Sequence, residues 1–126
     1  MKPEMFLQCE FARWLDSKRI LYCASAGGMR TNIRTAVNMK RSGYKKGFPD
    51  VFLYQKSGDN KYAGLAIELK AGKNPKTTPE QLAWKAALIS NGYQSVIMPR
   101  GLNFNEGFNW LRGVVENYLV NNLKES

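Results

Sequence analysis

In the stretch GFPDVFLYQKSGDNKYAGLAIELK, residues 47–70, Asp50, Glu68 and Lys70 interrupt apolar runs that read as core strands. A charge on a half-buried strand needs a counter-charge, a metal or water, because desolvating it alone costs several kcal/mol or more. Two carboxylates beside an amine offer hard oxygen ligands of the kind that suit Mg²⁺, which keeps several of its waters and takes only one or two carboxylates. Such an ion polarises a phosphoryl oxygen and acidifies a water, and a neighbouring ammonium stabilises developing negative charge. The chemistry this set supports is phosphodiester hydrolysis. The alternative for Asp50 and Glu68 is a salt bridge to Lys70 or to a nearby Arg.

The elements around these residues decide whether they meet. VFLYQK (51–56) and YAGLAIELK (62–70) read as two strands around the polar loop SGDNK, and Pro49 holds Phe48 extended so that the chain enters the first strand at Asp50. If Lys56 and Tyr62 close that loop, antiparallel pairing places Asp50 opposite Glu68, with Cβ atoms about 4.5–5.5 Å apart on a shared face. Alternation sends Ala66, Glu68 and Lys70 to one face and Leu65, Ile67 and Leu69 to the other, so an apolar face packs inward and a polar face presents the site.

Before the strands, RTNIRTAVNMKRSGYKK (30–46) carries Arg30, Arg34, Lys40, Arg41, Lys45 and Lys46 without one acid. A solvated face is one reading of such a run, and its place beside Asp50 favours phosphate binding. Residues 31–41 fit either a helix or an irregular basic arm. Tyr44 and Phe48 are candidates for stacking on unpaired bases, with burial beneath the loop the alternative for Phe48.

EMFLQCEFARWLDSK (4–18) places Leu7, Phe11, Trp14 and Leu15 at helical spacing. Glu10 lies at the margin of that stripe, either turned inward as a further acid or paired with Arg13 three residues on. RILYCAS (19–25) reads as a short strand. Thr78 and Gln81 match a capping box with Pro79 at the first helical position, opening a helix to about Asn91 that Gly92 ends. Leu82, Trp84, Ala86, Leu88 and Ile89 supply its apolar surface. QSVIMP follows as a strand, and Asn105 caps a final helix bearing Phe108, Leu111, Val115, Tyr118 and Leu119. This order predicts an α/β domain, a mixed β-sheet flanked by α-helices, with residues 1–126 as one unit.

Nineteen Lys and Arg against ten Asp and Glu give a net charge of +9, which points to a polyanionic partner. The chain has no histidine, which removes His-based bases, Ser/His and Cys/His nucleophile pairs and most zinc sites. Cys9 and Cys23 match neither a zinc pair nor a CxxC motif and read as core. No apolar run approaches the roughly 20 residues of a membrane span, and the acidic start does not read as a secretory signal, so a cytoplasmic protein, with no membrane partner, is expected.

Glu10 in the first helix, GFPD at 47–50, IELK at 67–70 and TPEQLAW at 78–84 followed by Gly92 together resemble the VRR-NUC domains of the PD-(D/E)XK nuclease superfamily, especially small standalone phage-type members. The resemblance spans residues 4 to 98, and the Gln and Trp of the last motif make it far more specific than PD and ExK alone. It implies a restriction-endonuclease-like core and Mg²⁺-dependent DNA cleavage, with Mn²⁺ as a substitute. It further implies a metal site of Asp50, Glu68 and the Leu69 carbonyl, with Glu10 on a metal-associated water or second ion and Gln81 in support. Similarity to junction-resolving members implies a homodimer acting on branched DNA, in a host cytoplasm if the chain is phage-encoded. A non-catalytic basic DNA-binding module is the competing reading, and a protein binding anionic membrane, lacking a clear basic amphipathic helix with a bulky apolar face, ranks third.

Overall fold

The computed structural model describes residues 1–25 and 32–120. Its elements run α1 (Pro3–Ser17), β1 (Tyr22–Ala24), α2 (Ile33–Arg41), β2 (Val51–Leu53), β3 (Leu65–Glu68), α3 (Pro79–Ser90), β4 (Gln94–Ile97) and α4 (Phe104–Val120). The strands form one sheet in the order β1-β2-β3-β4. The first three pair antiparallel, and β4 joins β3 in parallel through the α3 crossover. The result is the expected mixed sheet flanked by helices.

Alternation along the strands assigns their two faces. Val51, Leu53, Leu65, Ile67 and Leu69 meet Leu7, Phe11 and Leu15 of α1 and Leu111, Val115 and Tyr118 of α4 in the main core. Phe52 and Ala66, from the opposite face, pack under Leu88 of α3 with Phe48, Trp84 and Tyr93 around them. The second face is therefore packed under α3 along most of its length, and the acids sit at its end. Only its end, beyond Ala66, carries charge.

The strands are shorter than the sequence suggests. β2 stops at Leu53, and β3 starts at Leu65. In between, Ser57 donates its N–H to the Tyr62 carbonyl, and the Tyr118 hydroxyl donates to the Gln55 carbonyl, so the connection is held by turn and side-chain bonds instead of a ladder. The register itself is the expected one: Val51 pairs with Ile67 and Leu53 with Leu65, so one step further Asp50 faces Glu68.

Three helices end in the same way. After α1, α2 and α3, the residue in the left-handed region is Arg19, Gly43 and Gly92 respectively. In each case two N–H groups turn back onto the last carbonyls, as with Gly43 to Lys40 and Tyr44 to Met39, the Schellman pattern. The residue after it joins the packing: Ile20 lies beside Leu15 in the main core, and Tyr93 beside Leu88 in the second. Segment 31–41 resolves into a helix from Ile33, capped by the Asn32 side chain accepting from the Thr35 N–H. The last helix is capped two residues earlier than expected, at Asn103 rather than Asn105. Asn103 and Glu106 form its capping box, each side chain accepting the other's backbone N–H.

Two core expectations fail. Cys23 is exposed on β1, at the sheet edge, and Cys9 is half-buried. On α3, Leu82 and Ile89 face solvent and only Leu88 is buried.

Candidate active site

Asp50 is the last residue before β2 and Glu68 the last residue of β3, so the antiparallel register brings the two acids together at one end of the sheet. Both are buried, at 9% and 7% exposure, as is Lys70 at 3%. Asp50 Oδ2 accepts the Leu69 N–H at 2.8 Å, which pins the carboxylate across the strand pair. Its other neighbour is Glu68, and the two carboxyls stand in hydrogen-bonding contact.

Lys70 completes the polar cluster from behind. Its Nζ donates to the Lys76 carbonyl at 2.7 Å, to Gln81 Oε1 at 2.8 Å and to Glu68 Oε2 at 3.5 Å. An ammonium has three donors, and all three are taken. Gln81 reaches the cap and the acid pair at once. Its Oε1 accepts from Lys70 and from the Thr78 N–H, closing the capping box, while Nε2 donates to Glu68 Oε2 at 3.1 Å.

Burial above all, and then the charge and hydrogen bond of Asp50, push the Glu68 carboxyl up to about 8, with Lys70 only partly opposing. Burial likewise raises Asp50, against the pull of the Leu69 amide, Glu68 and Lys70. Two carboxyls so close titrate as a pair, and without a cation between them they retain a proton.

A cavity of about 210 Å³ opens over this pair, lined by Glu4, Tyr44, Lys46, Gly47, Phe48, Asp50, Glu68, Thr78 and Gln81. The acid that α1 contributes is thus Glu4. Burial raises its pKa first and the Asp50 charge second. Glu10 does not line the cavity; it pairs with Arg13 at 3.3 Å on the outer side of α1, the alternative left open by its marginal position. Helical phase carries the signal for Glu4, which falls on the same stripe as Leu7, Phe11 and Leu15, three, seven and eleven residues before them.

Gly47 and Trp84 bring the basic segment to the cavity. Gly47 has φ +85°, and a Cβ there would lie 2.6 Å from Glu80 Cβ and 2.9 Å from the Gln81 nitrogen, so only glycine lets the chain pass this close to the start of α3. Trp84 donates its Nε1–H to the Lys46 carbonyl and meets Phe48 edge-on at 5.0 Å, half-buried rather than central to the core. Lys46 lines the cavity and Lys45 beside it is exposed, while Arg34, Lys40 and Arg41 lie exposed on α2. Arg30 lies outside the described residues. Phe48 lines the cavity while its ring packs between Trp84 and Phe52, the burial alternative, and Tyr44 lines the cavity beside it.

The donor set fits a small hard cation: two facing carboxylates, an open cavity in front of them, and a repulsion that a divalent ion would relieve in place of a proton. No group of three or more His, Cys, Asp or Glu gathers at ligand distance among the described residues, so main-chain and water oxygens would fill the rest of the shell. Among the same residues no helix is long and apolar enough to cross a membrane.

Comparison with known proteins agrees with this geometry. A solved structure described as a VRR_NUC domain protein superposes with a TM-score of 0.67 at 26% identity, covering 94% of this chain and 88% of the other. Curated protein sequences yield no match. The VRR-NUC domain family model matches residues 2–99, from the first turn of α1 past the end of β4, and so takes in Glu4, Asp50, Glu68, Lys70 and Gln81. The chain belongs to the VRR-NUC domain family, and with it to nuclease-type proteins that act on DNA.

Proposed function

We propose that this protein is a divalent-metal-dependent endonuclease that hydrolyses phosphodiester bonds in DNA, with Mg²⁺ as the working ion and Mn²⁺ as a substitute. The observation that carries the reading is the buried, facing pair Asp50 and Glu68, braced by Lys70 and Gln81 under a cavity with Lys46 at its rim. Asp50, Glu68 and the Leu69 carbonyl would hold the ion. Bound there, Mg²⁺ supplies Lewis-acid chemistry: it polarises a phosphoryl oxygen and lowers the pKa of a water.

The chain's own residues do the rest. Gln81 and Lys70 fix the Glu68 carboxylate, so that its direction does not have to be reorganised when phosphate arrives. Lys70 acts from within, by its charge, since its donors are engaged by protein atoms. Glu4 is placed to orient a water over the pair, the role the resemblance assigned to Glu10. Lys45, Lys46 and the cations of α2 offer contacts to phosphates. Selectivity for branched DNA and action as a homodimer extend this reading by resemblance to junction-resolving members of the family.

Purified protein incubated with linear and branched DNA in Mg²⁺, in Mn²⁺ and in EDTA tests it. Cutting should require the ion and should fall by more than about 100-fold in Glu68→Ala, beyond the loss typical of a supporting residue. Cutting in EDTA, or cutting undiminished in Glu68→Ala, overturns the proposal. Salt-sensitive binding without cutting in any metal would instead make the protein a non-catalytic DNA-binding module.

A further inference from the structure

Helix α2 buries none of its nine residues. Ala36 and Met39 lean toward the body and are half-buried, whereas Ile33 and Val37, one turn apart, are 84% and 47% exposed. At 100° per residue, Lys40 flanks that aliphatic pair on one side and Arg34 and Arg41 on the other. The helix has no acid, and the ion pairs among the described residues, Glu10 with Arg13 and Glu68 with Lys70, engage none of its cations. A free helix this short is marginal in water, and an exposed aliphatic strip between unpaired cations calls for a partner both polyanionic and apolar at its centre.

Duplex DNA has that pattern. Its major groove is bordered by phosphates and floored by base edges that include the thymine methyl groups, and it is about 12 Å wide, enough to admit a helix. The helix is about 14 Å long. Only Ser42 to Pro49 separate its end from Asp50, and Tyr44, Lys46 and Gly47 of that connection line the cavity. We propose that α2 enters the major groove of the duplex next to the scissile phosphate, with Ile33 and Val37 against base edges and Arg34, Lys40 and Arg41 on the flanking phosphates. This rests on the nuclease reading for where the duplex lies, and it names double-stranded DNA on one side of the cut as part of the substrate.

Equilibrium binding in EDTA, followed by fluorescence anisotropy of a labelled duplex, separates this proposal from the catalytic one because no cutting is read. Ile33→Ser with Val37→Ser should weaken duplex binding about threefold to tenfold, the loss expected for two apolar contacts, and leave single-strand binding and the salt slope unchanged. Replacing thymine by uracil throughout the duplex should weaken wild-type binding toward the level of that variant and leave the variant itself unaffected. Arg34→Gln, Lys40→Gln and Arg41→Gln should each reduce the slope of log K against log salt by about 0.9. Unchanged duplex affinity in the aliphatic variant overturns the proposal. So does a lowered melting temperature for the free variant, which would place the strip in intramolecular packing. A shift from dimer to monomer in sedimentation would assign the strip to a second copy of the chain and also overturn it.

Discussion

The two faces of β3 and its continuation are equally buried and chemically opposite. Leu65, Ile67 and Leu69 are fully enclosed by α1 and α4, while Ala66, Glu68 and Lys70, alternating with them, are nearly as inaccessible beneath α3. On the first face burial is its own stabilisation, because apolar area leaves water. On the second, each buried polar group is matched: Lys70 by three acceptors, Glu68 by Gln81 and Lys70, Asp50 by the Leu69 amide. What stays unmatched is the surplus negative charge of the acid pair. The fold therefore holds in reserve, at one end of one face, an electrostatic demand that it does not meet itself.

This contrast makes separable predictions. Ile67→Ala, on the apolar face, should cost about 2–5 kcal/mol of stability, read as a fall in the urea midpoint, with cleavage per folded molecule changed little. Loss of metal-dependent cutting at full stability in that variant would break the division between the faces. Gly47→Ala tests the reverse. A β-carbon in the left-handed region costs about 1–2 kcal/mol, and its collision with Glu80 and the Gln81 backbone should displace the Gln81 amide from Glu68. Cleavage should then fall by about 10- to 100-fold while most of the fold persists.

The smallest effect concerns pH. The Glu68 carboxyl sits at about 8 in the folded protein against an ordinary 4.5, so folding favours its protonated form. Its stabilising contribution is complete below about pH 4.5 and is lost as pH rises through about 8. Melting temperatures of metal-free protein should fall across that window, Glu68→Gln should flatten the fall, and added Mg²⁺ should raise the melting temperature more at pH 8 than at pH 5. An equal Mg²⁺ shift at both pH values would show that the ion does not replace a proton on this pair.

Much of this site is legible in the sequence because alternation is a strict constraint: once Pro49 and the polar loop bound the strands, a one-residue slip would turn Leu65 and Ile67 away from the main core, and so Asp50 must face Glu68. The α3 capping box and its Gly92 ending are local chemistry and were readable in the same way. The first helix shows the limit. Motif spacing draws attention to Glu10, at the margin of its apolar stripe, whereas helical phase puts Glu4 on the stripe itself, and packing against the sheet sets the first turn of α1 over the cavity. Likewise α3 covers one face of the sheet through Leu88, Trp84 and the Gln81 grip rather than through a full apolar stripe, which composition does not reveal.

The orientation of the Gln81 amide has a consequence for what can replace it. Its oxygen lies between two hydrogen-bond donors and its nitrogen against a carboxylate, so the group works as a polarised key that enters one way round. Glutamate, equal in shape, would satisfy Lys70 and Thr78 yet set a third anion against Glu68. The position is closed to the commonest isosteric exchange, and the opening of a helix and the charge state of a carboxylate are decided by the same few atoms.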